Sequence, residues 1–336
     1  MSQIGILGAG TWGIALSRLL YLNGNDVTVW SAIKEEIAAY KKERKNPNLP
    51  DMVIPDEIVF TDDIVSATAD KDILIVAVPS IYVRSTMREA FKHITGNPII
   101  VNVAKGIEKD SLYLISDIIE EEMTLSGNGK WDLVILSGPT HAEEVSMDMP
   151  TTIISASSSE KAAKKIQEVF SNDFFRVYTN SDVRGIEICG ALKNVIAIAA
   201  GISNGLGYGD NAKAALITRG MAEITRLGLA MGCNKDTFFG LAGIGDLVVT
   251  ATSIHSRNNR AGMLLGQGYS IKETLMKVGM VVEGLNTLPA AMQLAEKYGV
   301  EMPIVFGVND IVNKGLSPRQ VVNDLMNRDR KEEKPY

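Results

Sequence analysis

The sequence predicts a two-domain protein in which a doubly wound α/β sheet over residues 1–181 is followed by an all-α domain over residues 182–336. Three observations lead to this prediction. A glycine motif stands between a strand pattern and a helix pattern at the N-terminus, strands and helices alternate over roughly 180 residues, and strand patterns nearly vanish after Asp182. Alternation of this kind favours a mostly parallel sheet with helices on both faces.

The glycine motif has the spacing of a dinucleotide-binding turn. The apolar run Ile4–Leu7 breaks into Gly8-Ala9-Gly10-Thr11-Trp12-Gly13, and apolar residues then return at helical spacing. Gly8 would permit the tight turn, Gly10 the approach of phosphates to the backbone, and Gly13 the close packing of helix on strand. The helix N-terminus would then favour the negative pyrophosphate. We therefore expect a Rossmann-type domain, the alternative being a glycine turn in another α/β protein.

The second strand bears on the choice of cofactor. Asp26–Trp30 reads as a strand, and the residues after it are Ser31-Ala32-Ile33-Lys34. Sites specific for NAD often have an acidic residue here, which binds the ribose 2′-hydroxyl. Because that acid is missing from the strand tip, the sequence favours NADPH and leaves NADH possible. The alternative is that Lys34 is only a solvated helix residue.

The remaining strands and several helices follow from short apolar runs and helical spacing. The further strands are expected at 58–60, 73–78, 98–103, 133–136, 152–155 and 174–178, and the helices at about 80–93, 112–123, 159–170, 183–202 and 211–231.

Two loops of the first domain are candidates for ligand contacts. Lys105 follows the fifth strand, at the sheet edge where such folds bind ligands. Ser137–Glu144 follows the sixth strand, with small residues and then a helix start. A surface lysine and an ordinary strand-to-helix connection are the alternatives.

The helical domain supplies candidates for chemistry. Lys193 interrupts an otherwise apolar helix, where an unpaired charge is costly to bury. A desolvated lysine can be a catalytic acid or base, and the alternative is a structural ion pair. Leu241–Leu247 reads as a turn-rich stretch presenting Asp246, with a turn-capping role as the alternative. Ser256-Arg257-Asn258-Asn259-Arg260 is dense in donors and predicts an anion site rather than a solvated helix start.

Composition limits the classes of function. A formal net charge of -6 makes a nucleic-acid partner unexpected. Neither Cys189 and Cys233 nor the three histidines have metal-ligand spacing, so no metal site is expected. The sequence contains no run of about 18 uncharged apolar residues, so no membrane span is expected. We expect a cytoplasmic protein, with a homodimer as an open possibility.

Taken together, the motifs resemble bacterial NAD(P)-dependent glycerol-3-phosphate dehydrogenase, essentially from end to end. The stretches that carry this resemblance are Gly8–Gly13, Ala104–Gly106, Ser137–Ala142, Glu187–Asn194, Gly243–Leu247, Ser256–Asn258 and Val282–Gly284. The order and spacing of these stretches make the resemblance specific. Thr11 stands where the family often has serine, and it keeps a hydroxyl.

The resemblance implies an oxidoreductase that interconverts dihydroxyacetone phosphate and sn-glycerol 3-phosphate with NAD(P)H and feeds glycerophospholipid synthesis. It implies that Lys193 is the catalytic proton donor and acceptor. The implied substrate-binding residues are Lys105, Gly138, Thr140, Lys193, Asp246, Ser256, Arg257 and Asn258. The implied cofactor-binding residues are Gly8, Gly10, Thr11, Trp12, Gly13, Lys105, Ala142, Arg257, Val281 and Glu283.

Two other functions compete with this one. A β-hydroxyacid or 6-phosphogluconate type dehydrogenase also joins a Rossmann domain to helices with a catalytic lysine, but Gly138–His141 and Ser256–Asn258 favour the first reading. A redox-sensing protein could bind NAD(P) without turnover, and the position of Lys193 argues against it.

Overall fold

The computed structural model describes residues 1–127, 129–330 and 332–333, and its contacts divide the chain into two compact units. The first unit comprises Met1–Lys105 and Ile115–Val183, and the second comprises Gly106–Leu114 and Arg184–Tyr336. The domain boundary between residues 181 and 182 stays a prediction.

The first unit is built on one sheet of eight strands, and the sequence predicts all eight to within a few residues. They are β1 Gln3–Leu7, β2 Asp26–Trp30, β3 Val59–Thr61, β4 Ile73–Val76, β5 Ile99–Asn102, β6 Leu133–Ser137, β7 Thr151–Ala156 and β8 Phe175–Asn180. Their order across the sheet is β3-β2-β1-β4-β5-β6-β7-β8. Strands β1 to β6 run parallel, whereas β7 is antiparallel to β6. The strand order therefore reverses at β1, the kind of point where open sheets bind ligands.

Helices cover both faces of this sheet, as the alternating pattern predicts. They are α1 Thr11–Leu22, α2 Lys34–Glu43, α3 Ile64–Thr68, α4 Val83–Ala90, α5 Ile115–Ser126, α6 Ala142–Ser146 and α7 Glu160–Phe170. Successive residues of β4 enter different cores, with Ile75 in the one that contains Leu16 of α1 and Val76 in the one that contains Met87 of α4. Burial on both faces explains why the strand is a continuous apolar run.

One predicted helix start in this half of the chain is wrong. The expected helix over 112–123 begins instead at Ile115. Leu112 has a φ of 61°, a left-handed conformation that an α-helix excludes. The segment Gly106–Leu114 is closed by a bridge between Ile107 and Leu114, and both side chains are buried in the core of the second unit.

Within its described residues the second unit is helical, as predicted. Its helices are α8 Val183–Gly205, α9 Asp210–Ala230, α10 Asp246–Thr252, α11 Arg257–Gly266, α12 Ile271–Val278, α13 Glu283–Tyr298, α14 Pro303–Lys314 and α15 Pro318–Met326. Helix α8 is the central element, because all of its residues from Gly185 to Ser203 are buried. It is long and apolar enough to cross a membrane, yet its most apolar window is entirely buried inside the protein, as in a core helix.

Small residues bring α11 against α8. A Cβ atom on Gly201 would lie 2.0 Å from the carbonyl oxygen of Asn259, and one on Gly262 would lie 2.0 Å from that of Ile198. The two backbones therefore approach more closely than any larger residue would allow. This contact fixes the start of α11 relative to Lys193.

Candidate active site

The glycine motif has the geometry that the sequence predicts. Gly8 follows β1 with a φ of 121°, and a Cβ atom there would lie 2.7 Å from the backbone of Ala77. A Cβ atom on Gly13 would lie 2.1 Å from the carbonyl oxygen of Gly8, so the first turn of α1 packs directly on the loop. Both positions exclude a side chain for reasons internal to the fold.

Gly10 is different, because nothing within 4 Å would meet a Cβ atom there. It is the N-cap of α1, and its side chain position is open space at the positive end of a twelve-residue helix. Thr11 and Trp12 open that helix and are both half-buried. The residues present thus fit the pyrophosphate of a dinucleotide, which needs backbone donors and room beside them.

Three residues outside the predicted set of site residues support this loop. The Tyr40 hydroxyl donates to the carbonyl oxygen of Ala9 at 3.0 Å and accepts from Asn46 Nδ2 at 2.7 Å. Asn48 Nδ2 donates to Thr11 Oγ1 at 3.2 Å. Burial raises the pKa of Tyr40 to about 12, with the nearby Glu36 charge adding to the shift. The phenol therefore stays protonated, and its bond to the loop persists, across the physiological range.

The end of β2 carries a carboxylate that the linear sequence does not place there. Ser31 Oγ donates to Glu36 Oε2 at 2.6 Å and accepts from the backbone of Ile33 at 3.2 Å. Lys34, the residue that the sequence associates with NADPH, lies 3.9 Å from a carboxylate oxygen of Asp62. Only the first turn of α2 brings Glu36 back to Ser31. The pattern that could have predicted this contact is a serine five residues before a glutamate at a helix start.

The strand ends on the other side of β1 hold a second group of predicted residues. The Asn102 side chain closes the turn after β5 by bonding both the amide and the carbonyl of Ala104. Lys105 Nζ then donates to the carbonyl oxygen of Gly138 at 3.3 Å, and Thr140 Oγ1 donates to the same oxygen at 3.2 Å. Ala142 begins α6 and is buried. The structure therefore brings Lys105, Gly138 and Thr140 together after β5 and β6.

In the second unit, Lys193 lies at the centre of a buried polar cluster. Its Nζ donates to Asp246 Oδ1 at 2.5 Å and to Thr250 Oγ1 at 2.7 Å. The Thr250 hydroxyl donates in turn to the carbonyl oxygen of Asp246 at 2.6 Å. The Lys193 side chain is 8% exposed and that of Asp246 is 1% exposed. Sequence reasoning identified the first two residues and missed Thr250, although it lies one helical turn after Asp246.

The stretch around Asp246 is not the turn that the sequence predicts. Leu241–Gly245 forms a π-helical turn that runs directly into α10. A Cβ atom on Gly243 would lie 2.1 Å from the carbonyl oxygen of Phe238, so the glycines permit close packing rather than a chain reversal. Asp246 consequently starts a helix, and its side chain pairs with Lys193.

A relay of two hydrogen bonds joins Asn194, the residue after Lys193 in α8, to helices α11 and α13. Asn258 Nδ2 donates to Asn194 Oδ1 at 3.0 Å, and the backbone N–H of Gly284 donates to Asn258 Oδ1 at 2.9 Å. A Cβ atom on Gly284 would lie 2.6 Å from the carbonyl oxygen of Asn194. The relay holds Glu283, the first residue of α13, beside α8, with Val281 half-buried just before it.

Most residues of the predicted anion cluster hold the start of α11 in place, and one of them is an arginine exposed to solvent. Ser256 is buried as the N-cap of α11, and its Oγ accepts from the backbone N–H of Asn259 at 3.2 Å. Arg260 Nη2 donates to the carbonyl oxygen of Lys277. Arg257 is exposed at the first position of the helix. The cluster therefore presents Arg257 on a rigid helix start, while Ser256 and Asn258 hold that start in place.

The predicted residues thus form two groups, one in each unit. Among the residues that the structure describes, no group of three or more His, Cys, Asp or Glu side chains could hold a metal ion. In chemical terms, the first group offers a dinucleotide cradle and a lysine, and the second offers a buried ammonium with a fixed carboxylate partner and an exposed arginine.

The chain is similar to known proteins over most of its length. Residues 3–163 match the family model of the NAD-dependent glycerol-3-phosphate dehydrogenase N-terminus, and residues 182–323 match that of the C-terminus. The chain is 57% identical over 334 residues to glycerol-3-phosphate dehydrogenase (NAD(P)+) 2 of Lactobacillus delbrueckii subsp. bulgaricus, covering 99% of each chain. It is 50% identical over 334 residues to the Bacillus subtilis enzyme of that name, covering 99% of this chain and 96% of that one. A crystal structure of glycerol-3-phosphate dehydrogenase from Coxiella burnetii superposes with a TM-score of 0.93 at 36% identity, covering 97% of this chain and 99% of that one.

Proposed function

Because the chain belongs to the NAD-dependent glycerol-3-phosphate dehydrogenase family, we propose that it interconverts dihydroxyacetone phosphate and sn-glycerol 3-phosphate with NAD(P)H. The observation that carries this proposal is the buried Lys193–Asp246–Thr250 cluster. A lysine with fixed partners in a desolvated helix is suited to moving one proton at one oxygen atom. A ketone reduction needs that step, and a protein that only binds nucleotides does not.

Lys193 has the role of general acid in the reduction. A carboxylate 2.5 Å from Nζ favours the ammonium form, and Thr250 fixes the direction of the side chain. The ammonium then donates a hydrogen bond to the C2 carbonyl oxygen and a proton to the alkoxide that develops there. In the oxidation of the alcohol, the neutral amine accepts the same proton. Asp246 is a positioning residue that also offsets charge when the lysine is protonated.

The loops of the first unit position the nucleotide and part of the substrate. A bound reduced nicotinamide supplies the hydride that C2 receives. The backbone around Gly10 and the start of α1 bind the pyrophosphate, and the Tyr40 and Asn48 bonds keep that loop in place. Lys105, held at the end of β5 with Thr140 beside it, offers a cation and a hydroxyl to the polar end of the triose.

Arg257 binds the substrate phosphate in this proposal. It is exposed at the N-terminus of a ten-residue helix, where the helix dipole also favours an anion. Ser256 and Asn258 act mainly through structure, since both side chains are bonded within the unit. Holding the phosphate restricts the motion of C2, which lowers the entropic part of the barrier.

A spectrophotometric assay tests the proposal. We expect oxidation of NADH or NADPH by the purified full chain only when dihydroxyacetone phosphate is added. A β-hydroxyacid with the oxidised nucleotide is the comparison substrate, because the competing dehydrogenase class would turn it over. Turnover of the hydroxyacid without turnover of the triose phosphate would overturn the proposal, and binding of nucleotide without any turnover would favour a redox sensor.

The cellular setting completes the proposal. The product, sn-glycerol 3-phosphate, is the backbone on which glycerophospholipids are made, so we assign the chain to their synthesis in the cytoplasm. An acidic protein with a net charge of -6 suits a small phosphorylated partner bound by local cations better than a nucleic acid.

A further inference from the structure

Glu36 is held at the end of β2, one strand away from the glycine loop. Its carboxylate accepts from Ser31 Oγ at 2.6 Å, and Ser31 is 6% exposed and fixed by the backbone of Ile33. Glu36 itself is half-buried in the first turn of α2. The carboxylate is therefore anchored by a buried hydroxyl and is not a freely solvated charge.

The position of this pair in the sheet indicates what it faces. Trp30, the residue before Ser31, lies beside Leu7 in the parallel register of β1 and β2. The backbone N–H of Gly8 donates to the carbonyl oxygen of Trp30 at 2.8 Å, which ties the glycine turn to the end of β2. In dinucleotide-binding sheets, the group at this strand end meets the 2′ position of the adenosine ribose.

We infer that Glu36, held by Ser31, selects the ribose 2′-hydroxyl and disfavours a 2′-phosphate, so that the chain uses NADH in preference to NADPH. This inference rests on the proposed function for the identity of the cofactor. The carboxylate accepts the hydrogen bond of the 2′-hydroxyl, and it repels a phosphate at the same place.

The other charges at this strand end do not reverse the preference. The backbone of Ser31 donates to the carbonyl oxygen of Thr61, and Trp30 Nε1 donates to that of Asp62. These bonds bring Asp62 to the same strand end, where its carboxylate lies 3.9 Å from Lys34 Nζ. Glu35 is exposed on the same helix turn. Lys34 therefore has Asp62 as its ion-pair partner, while the Glu36 carboxylate is held by Ser31.

Direct titration of the full chain with NADH and with NADPH tests the inference, followed by the fluorescence of the reduced nicotinamide. In the unaltered chain we expect NADPH to bind about tenfold more weakly than NADH, since a single charge near a partly exposed site has an effect of this order. In Glu36→Gln the NADPH/NADH ratio of dissociation constants should fall by about the same factor. Ser31→Ala, which frees the carboxylate, should shift the ratio in the same direction by less.

Glu35→Gln is the matched control, because it removes the neighbouring charge from an exposed position, and its ratio should stay unchanged. Competition by adenosine 2′,5′-bisphosphate isolates the 2′-phosphate, and its binding should tighten in Glu36→Gln but not in Glu35→Gln. A merely structural role for Glu36 would weaken both nucleotides together and leave the ratio constant. Tighter binding of NADPH than NADH by the unaltered chain, or a constant ratio in Glu36→Gln, would overturn the inference.

Failure of this inference is distinguishable from failure of the proposed function. The titrations contain no triose phosphate, so they report selection of the nucleotide whether or not the chain turns over dihydroxyacetone phosphate. Turnover with an unchanged ratio in Glu36→Gln would remove the inference and leave the function intact. A changed ratio without turnover would support the inference and remove the proposed function.

Discussion

Lys193 and Asp246 form an ion pair in which Nζ lies 2.5 Å from Oδ1, although 53 positions separate the residues along the chain. Both side chains are more than nine-tenths buried. A buried pair is costly to break from one side, because the remaining charge stays without its partner in a medium of low polarity. Stability and catalysis are therefore coupled at this pair, and variants must be designed to separate the two.

Lys193→Ala should reduce both properties. We expect turnover of dihydroxyacetone phosphate to fall by about 100- to 10,000-fold, the usual contribution of a general acid. The free energy of unfolding should fall by about 3–5 kcal/mol, since Asp246 would keep a buried charge. Steady-state rates and urea unfolding measure the two effects.

The double variant Lys193→Met with Asp246→Leu is the control for folding. It removes both charges, so most of the lost stability should return while turnover stays low. Nucleotide binding should persist in both variants because the glycine loop is unchanged. Near-normal turnover in the stable double variant would disprove the assignment of Lys193.

Thr250 should contribute to catalysis by orienting the lysine. Thr250→Val keeps the shape of the side chain and removes the hydroxyl that accepts from Nζ. A hydrogen bond to a charged group contributes about 1.5–3 kcal/mol, so kcat should fall by about ten- to a hundredfold with little change in nucleotide affinity. Thr250→Ser keeps the hydroxyl and should retain most of the rate. Equal rates in the Val and Ser variants would exclude this role.

Two glycines of the same loop should respond differently to alanine. Gly10→Ala adds a methyl group to open space, so the thermal midpoint should hardly change while the dissociation constant for the nucleotide rises by about tenfold or more. Gly13→Ala places the methyl group 2.1 Å from a backbone oxygen, and unfolding should become easier by about 1–3 kcal/mol. Calorimetry and nucleotide titration of both variants check this contrast. Identical behaviour of the two would contradict the geometry of the loop.

Arg257 should matter for the phosphate of the substrate and little else. In Arg257→Ala we expect KM for dihydroxyacetone phosphate to rise by about ten- to a hundredfold, because a charge-assisted contact is lost. The rate with unphosphorylated dihydroxyacetone should not change. Arg260→Ala is the comparison, since that side chain donates to the carbonyl oxygen of Lys277. Parallel changes for both ketones would remove Arg257 from the phosphate site.

Glu223 should make stability depend on pH. Burial raises its pKa to about 7, although the backbone N–H groups of Ile304 and Val305 and the charge of Arg226 oppose the shift. Its carboxylate accepts those N–H groups at 2.8 and 3.2 Å. The folded protein therefore binds the proton of Glu223 more tightly than the unfolded chain does. Protonation of Glu223 consequently stabilises the fold, and this contribution is complete below about pH 4.5 and is lost as the pH rises through 7.

The corresponding variant is Glu223→Gln, which does not titrate. The difference in unfolding free energy between the unaltered chain and this variant should fall by up to about 3 kcal/mol between pH 4.5 and pH 8. Glu301→Gln, at an exposed carboxyl group, should show no comparable trend. Chemical unfolding at several pH values measures the difference, and a slope of zero or of opposite sign would show that Glu223 stays ionised.

The parts of the fold that local patterns encode were predictable. A run such as Ile73–Val76 is apolar throughout because both faces of its strand are covered. A run this short fits a strand better than a helix. Lys193 was recognisable for a related reason, since one charge in an apolar helix requires a partner. Its hydrogen-bond partner Thr250 was not predictable, because Thr250 gains this role only when α8 and α10 pack together.

The parts that sequence reasoning missed or misplaced depend on three-dimensional neighbours. Glu36 reaches the end of β2 through one turn of helix, and the alternation of apolar and polar residues does not mark that return. Asn48 and Tyr40 reach the glycine loop from more than 30 residues away. Ser256 also has a role that the sequence did not predict, because its hydroxyl oxygen caps α11 by accepting from the backbone N–H of Asn259, and its contact with the substrate stays a prediction.

The segment Gly106–Leu114 has a consequence for the order in which the protein is made. Its buried residues Ile107 and Leu114 complete the core of the second unit, yet both leave the ribosome well before α8 does. The nascent chain thus carries this apolar segment without its native neighbours until the helices of the second unit emerge. A gene cut at residue 181 would make that condition permanent, and the resulting fragment would expose two side chains that the whole protein buries.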